Sequence, residues 1–159
     1  IEVNSEVDKG TCFNIWLPCE TDNSTLENEE EKVHEKFNGE GLTILIVDDE
    51  ALILETTTAF LNDHGCETLC AHNGVDAVEV YKVHQEKIDL IIMDSVMPEM
   101  TGEEATEKIK EICPTQKILM ASGQRAPSHT GHENPADYAL SKPYAMEEIN
   151  IILRDIINS

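Results

Sequence analysis

Positive charge is what this chain of 159 residues most lacks: 11 Lys and Arg stand against 32 Asp and Glu, a formal net charge of -21. So acidic a surface repels phosphate backbones and anionic headgroups, which excludes nucleic acid as a partner and argues against direct membrane contact. Long apolar runs are also missing. None approaches the ~20 residues of a membrane helix, and no apolar signal core follows a basic start. A soluble, cytoplasmic chain is the expectation. Metal-binding cysteine patterns are absent as well: Cys12, Cys19, Cys66, Cys70 and Cys113 form no C-x-x-C pair, so reduced thiols are expected rather than zinc or a disulfide framework. His129 and His132 sit in a Pro/Gly-rich stretch without acidic or cysteine ligands beside them, and no metal role is assigned there. The chain opens on Ile1 rather than Met, so a fragment is expected, monomeric as it stands.

The length suffices for one full domain and something short beside it. Residues 20–40 hold eight acids and two lysines with almost nothing apolar, a composition that cannot order itself by burial. They are expected to form a flexible acidic linker. Before it, Phe13, Ile15 and Leu17 alternate as in a strand ending at Pro18. The first 19 residues are too few to fold as a domain alone.

After residue 40, strands alternate with amphipathic helices. Residues 42–47 are a continuous apolar run suited to a strand buried on both faces. Helix is expected over 50–63, 74–86, 102–112 and 145–157, and strand over 67–71, 88–93, 117–121 and 138–141. Repeated βα units require a parallel sheet with helices on both faces and right-handed crossovers. The predicted fold class is therefore α/β, a flavodoxin-like three-layer sandwich with five strands in the order 2-1-3-4-5.

In that order the first and third strands meet at the switch point where ligands bind beyond the carboxyl ends. Asp48 and Asp49 close the first strand, Asp94 the third and Ser122 the fourth, while Lys142 follows the fifth. Converging carboxylates repel unless a pKa rises or a cation binds, and hard oxygen donors favour Mg2+. Asp48 and Asp49 suit a metal. Asp94 can act as ligand or as nucleophile toward phosphorus, with Lys142 and the Ser122 hydroxyl clamping the phosphoryl oxygens. Taken singly these residues mean little, since an acid after a strand is commonly a helix cap, as Asp49 before Glu50 would be.

The stretches ILIVDDE, IIMDSVMPEMTG, ILMASG and LSKPY resemble the receiver (response-regulator) domain of two-component signalling, CheY-like in fold, over residues 42–157. The resemblance implies that Asp94 accepts a phosphoryl group from a phosphohistidine, on a kinase or a histidine phosphotransfer protein. It implies too that Asp48, Asp49, Asp94 and the Val96 carbonyl hold Mg2+, that Lys142 binds the phosphoryl group, and that Ser122 rearranges to hydrogen-bond it. Pro98 and Gly102 match the loop pattern, and a strained Lys142-Pro143 bond, open to the cis form, is expected.

Two features depart from the pattern. An aromatic residue usually stands three before the lysine, whereas here Ala139 does, with Tyr138 one step earlier and so on the other face of its strand. Tyr138 is accordingly not expected to be the rotating partner of Ser122. Residues 124–137 contain Pro127, Gly131 and Pro135, so the fourth of the family's five helices should be short or irregular. The opening residues resemble the last hairpin of a histidine-kinase ATP-binding domain through Lys9-Gly10-Thr11, with Asp8 where glycine is common. Domains are thus expected at 1–19 (kinase remnant), 20–40 (linker) and 41–159 (receiver). The implied parent is a hybrid histidine kinase, with any membrane anchor in that longer protein. The fragment itself lacks kinase machinery. A Mg2+-dependent phosphohydrolase would need an Asp-x-Asp motif, and a flavodoxin a phosphate loop that Asp48-Asp49-Glu50 would repel. A degenerate receiver acting only as a binding surface would not need the site residues.

Overall fold

The structure, a computed structural model, describes residues 1–16, 37–123 and 136–157, with the backbone alone at residue 157. The expected irregular helix within 124–135, His129, His132 and Cys19 lie outside the described residues. Two compact units, Ile1–His34 and Glu35–Ser159, make up the chain.

In the first unit, β1 (Glu2–Glu6) pairs antiparallel with β2 (Gly10–Asn14), Val3 opposite Phe13. Asp8 takes φ 62° at the turn, the left-handed conformation that explains why glycine would serve there and why the short polar side chain of Asp is tolerated. Ser5 and Thr11 hydroxyls pair across the strands at 2.8 Å. The Lys9–Glu6 ion pair is solvent-exposed and adds little. Val3, Phe13, Ile15 and Trp16 are all exposed.

The second unit begins earlier than composition suggests. Phe37 is 4% exposed, and its N–H donates to Asn150 Oδ1 at 3.1 Å. Residues 37–40, which composition alone groups with the acidic segment, lie in the second unit. A lone aromatic in an acidic run gives no periodic signal, because its partners lie far along the chain.

From there β3 (Thr43–Val47), α1 (Ala51–Asp63), β4 (Glu67–Ala71), α2 (Gly74–His84), β5 (Leu90–Asp94), α3 (Gly102–Ile112), β6 (Lys117–Ser122), β7 (Tyr138–Ser141) and α4 (Met146–Ile157) follow in order. The five strands form one parallel sheet ordered β4-β3-β5-β6-β7, the 2-1-3-4-5 arrangement expected. Side chains of period two divide the core between the faces. Leu45, Val47, Ile91, Met93, Ile118 and Met120 pack with Tyr81 of α2 and Ile109 of α3. Ile44, Ile46, Ile92, Leu119 and Leu140 pack with Leu54 and Leu61 of α1 and Ile149 and Leu153 of α4. Tyr138 joins this second cluster, level with Leu119 and three rungs from Ser122, while Ala139 is exposed. Its one-residue offset therefore places the ring on the α1/α4 face.

Local signals start the helices. Thr101 and Glu104 form a reciprocal capping box on α3, and Asn73 Oδ1 accepts the Asp76 N–H at 2.8 Å on α2. Gly102, the first residue of α3, is needed for close approach: a Cβ there would lie 2.0 Å from the Asp94 carbonyl oxygen. Its own N–H donates to Ser95 O at 3.1 Å. Gly102→Ala must push the end of β5 aside, with an expected loss of about 1–3 kcal/mol, typical of overpacking. Urea unfolding measures it, and an unchanged midpoint would refute this role for Gly102.

Candidate functional site

The parallel sheet brings the carboxyl ends of β3, β5, β6 and β7 to one rim, and each expected residue is found there. Asp48 follows β3 and is 3% exposed; Asp94 ends β5 and is 7% exposed. Lys142 follows β7, and its Nζ is 2.9 Å from Asp48 Oδ2 and 2.9 Å from Asp94 Oδ1. One ammonium thus bridges two buried carboxylates from different strands. The Lys142-Pro143 peptide is cis.

The second oxygen of Asp48 is also used: Oδ1 accepts the Glu50 N–H at 2.9 Å. Glu50 is the N-cap of α1 and makes no side-chain cap bond. Asp48 thus accepts from the N-cap residue's own amide, closing a turn just ahead of α1 rather than capping its first-turn amides. Asp49 is exposed, and single carboxylate oxygens of Asp48, Asp49 and Asp94 lie within 4.8 Å of one another. Three oxygen donors at that spacing suit a hard divalent cation that keeps water in its remaining positions. Val96, on the loop after β5, is 76% exposed; its hydrocarbon side chain has no donor atom, so only its backbone carbonyl is a candidate ligand.

Ser122 ends β6, opposite Ser141, and its carbonyl accepts the Lys142 N–H at 2.7 Å. That bond ties the serine strand to the lysine loop. Tyr144 escaped the sequence reading, although it stands two residues beyond Lys142. It packs on the α1/α4 face; burial raises its phenol pKa, with Lys142 opposing and Asp48 and Asp94 adding to the rise.

The bridge affects its members unequally. Burial opposes the Lys142 charge, yet hydrogen bonds to Asp48 and Asp94 prevail and hold its pKa above the usual lysine range. At Asp94 burial is the largest influence and outweighs the ammonium, so the carboxyl titrates above its ordinary value of 3.8, with Asp48 adding to the rise. The folded chain then binds that proton more tightly than the unfolded chain. The resulting stability is complete below the ordinary value and is lost as pH rises through the raised one. Asp94→Asn, which mimics the protonated form, should therefore unfold at a higher temperature than the parent at pH 7 without divalent cations. The gap should close as pH approaches 4, in thermal unfolding followed by circular dichroism; equal or lower stability of the variant at pH 7 would contradict the burial argument.

Among the described residues no helix is long and apolar enough to cross a membrane. The response regulator receiver domain family matches residues 44–154. The autoinducer 1 sensor kinase/phosphatase LuxN of Vibrio harveyi is 35% identical over 124 residues, covering 77% of this chain and 14% of that protein. The sensor kinase CckA of Brucella abortus is 28% identical over 166 residues, covering 99% of this chain and 18% of that protein. This chain therefore spans less than a fifth of either relative. Among solved structures, the response regulator TrrA of Thermotoga maritima in complex with Mg(2+)-BeF superposes with a TM-score of 0.64 at 27% identity, over 72% of this chain and 98% of that one. With a matching fold and with acidic, lysine and serine residues at the expected rim, the chain belongs to the response regulator receiver domain family.

Proposed function

We propose that this chain is the phosphoacceptor switch of a phosphorelay, with Asp94 as the residue that is phosphorylated. The observation that carries the reading is the Lys142 bridge, 2.9 Å from both Asp48 and Asp94, in a pocket with a third carboxylate within reach. Such a pocket has an excess of negative charge, which a divalent cation would neutralise. Asp48, Asp49, Asp94 and the Val96 carbonyl are the proposed ligands. Mg2+, when bound there, supplies charge to the phosphoryl oxygens and positions them.

The donor is a phosphohistidine, on a kinase or on a histidine phosphotransfer protein. An Asp94 carboxylate oxygen forms a bond to phosphorus as the N–P bond breaks. The imidazole leaves with the bonding electron pair and takes up a proton, and the Asp94 carboxylate becomes an acyl phosphate. Lys142 follows the transferred group, exchanging a carboxylate partner for a phosphoryl oxygen. The Ser122 hydroxyl supplies a further donor, and the reordering of its strand is the signal.

Sensor kinases as relatives, together with the opening hairpin and acidic segment ahead of the receiver, support a hybrid histidine kinase as the parent. In that organisation residues 1–19 are the end of the ATP-binding domain, residues 20–40 are the acidic linker, and the fragment has no kinase activity of its own.

Incubation with acetyl phosphate and Mg2+ should give a single phosphoryl adduct by intact mass, removed by hydroxylamine and absent from Asp94→Asn. An adduct on that variant, or none on the parent chain, would be decisive against Asp94. In a separate measurement, Mg2+ at a hundred times its dissociation constant should stabilise the chain by about 2.7 kcal/mol. Chelation should reverse this, and Asp48→Ala should lose most of it; an equal rise in the variant would remove Asp48 from the ligand set.

A further inference from the structure

Opposite the phosphoryl rim, the segment entering the receiver is locked to the body by three separate contacts. The buried Phe37 ring stacks on His64, centroids 4.7 Å apart and planes 9° from parallel. Phe60 closes on the same imidazole at 4.3 Å, and His64 Nδ1 lies 2.7 Å from Phe60 O. The Phe37 N–H donates to Asn150 Oδ1, and Asn150 is itself only 6% exposed. Gly39 N–H donates to His64 O at 2.9 Å. Space there is tight, since a Cβ on Gly39 would meet Cys66 Sγ at 2.3 Å.

These contacts join α1 and α4 in particular. His64 is the C-cap of α1, whose N-cap amide is held by Asp48. Asn150 lies on α4, the helix that follows the Lys142 loop. Each helix thus has a site residue ahead of its start and a Phe37 contact along its length or at its far end, and α1, with 13 residues, spans about 20 Å between the two. Beside the end of α4 lies a half-open pocket of about 230 Å³, lined by Leu42, Ile44, Leu90, Leu153 and Ile156 with Asp89 and Lys117, and Lys117 Nζ ties that end to β6 by donating to Ile156 O at 2.9 Å.

We propose that Phe37 is a positioning residue for the cation site: its lock on α1 and α4 holds Lys142 against Asp48, where the lysine competes with a divalent cation. Releasing the lock lets the α4 end move and the lysine withdraw, so cation affinity rises. By reciprocity, cation binding loosens the lock and frees the segment that leads into the receiver. The inference rests on the metal-site reading given above.

The test uses the full chain and Mg2+ alone. Calorimetric titration of the double variant Phe37→Leu/Asn150→Ala, which removes both the stack on His64 and the acceptor of the Phe37 N–H on α4, should show Mg2+ binding about fivefold tighter than in the parent, the low end of couplings between distant sites. Hydrogen exchange in the parent chain should show the amides of Phe37 and Gly39 exchanging faster when Mg2+ is bound. This second measurement needs no variant and survives misfolding of the first. Unchanged affinity with unchanged exchange, while the parent binds Mg2+, would overturn the positioning role and leave the metal site intact. Absence of Mg2+ binding to the parent would overturn both.

Discussion

A single ammonium group, Lys142 Nζ, bridges two buried carboxylates that belong to strands on either side of the switch point, and the arrangement of the rim depends on it. Taking Asp48 and Asp94 out of water without a partner would be strongly unfavourable. The lysine compensates only in part. One positive charge among three carboxylates leaves the pocket negative, which disfavours the approach of a phosphoryl donor and favours a divalent cation. The raised pKa of Asp94, dominated by burial, is the same imbalance seen in proton affinity. The fold accepts an energetic burden at this rim, and that burden gives the site its appetite for positive charge.

That rim is sustained by features of quite different kinds. The sheet supplies convergence: parallel pairing of β3 with β5, and of β5 with β6, aligns carboxyl ends that are far apart in sequence. Backbone contacts supply the finer placement. Lys142 N–H to Ser122 O sets the lysine loop against β6, and Gly102 N–H to Ser95 O draws α3 up to the end of β5. The closeness of that last approach excludes even a methyl group. Gly102 acts here through space rather than through backbone freedom, a distinction invisible in the motif that contains it.

The parts legible in sequence are those determined by periodicity. The apolar runs of β3 and β5 needed two covered faces, and the helices carried caps such as Thr101 with Glu104, so their order followed. The site was legible because its residues terminate those runs. Tyr138 too was readable, since in a strand one step exchanges faces. Less legible were roles assigned by tertiary contact. Asp48 Oδ1 accepts the Glu50 N–H just ahead of α1, which depends on the local chain path and not on identity. Phe37 sits in an acidic stretch without pattern, and its contacts, His64 and Asn150, lie 27 and 113 residues further on. Tyr144 looked like part of a loop motif and proved to pack beneath the charges.

The two faces of the sheet consequently differ in what they join. On the α2/α3 face, Tyr81 donates its hydroxyl to Gln116 at 3.1 Å within a large apolar cluster, an arrangement that braces the sheet. The α1/α4 face connects the site to the incoming chain. α1 starts from the turn that Asp48 closes, α4 follows the Lys142 loop, and both reach Phe37. Tyr138 and Tyr144 lie on this face as well, which leaves Ala139 small and exposed on the other. Both tyrosines therefore lie in the layer that contacts residues 37–40. Lys142 leads into α4 and Asp48 into α1, whereas Asp94 leads through residues 95–101 into α3 on the opposite face, so the one ammonium ties both layers to the rim.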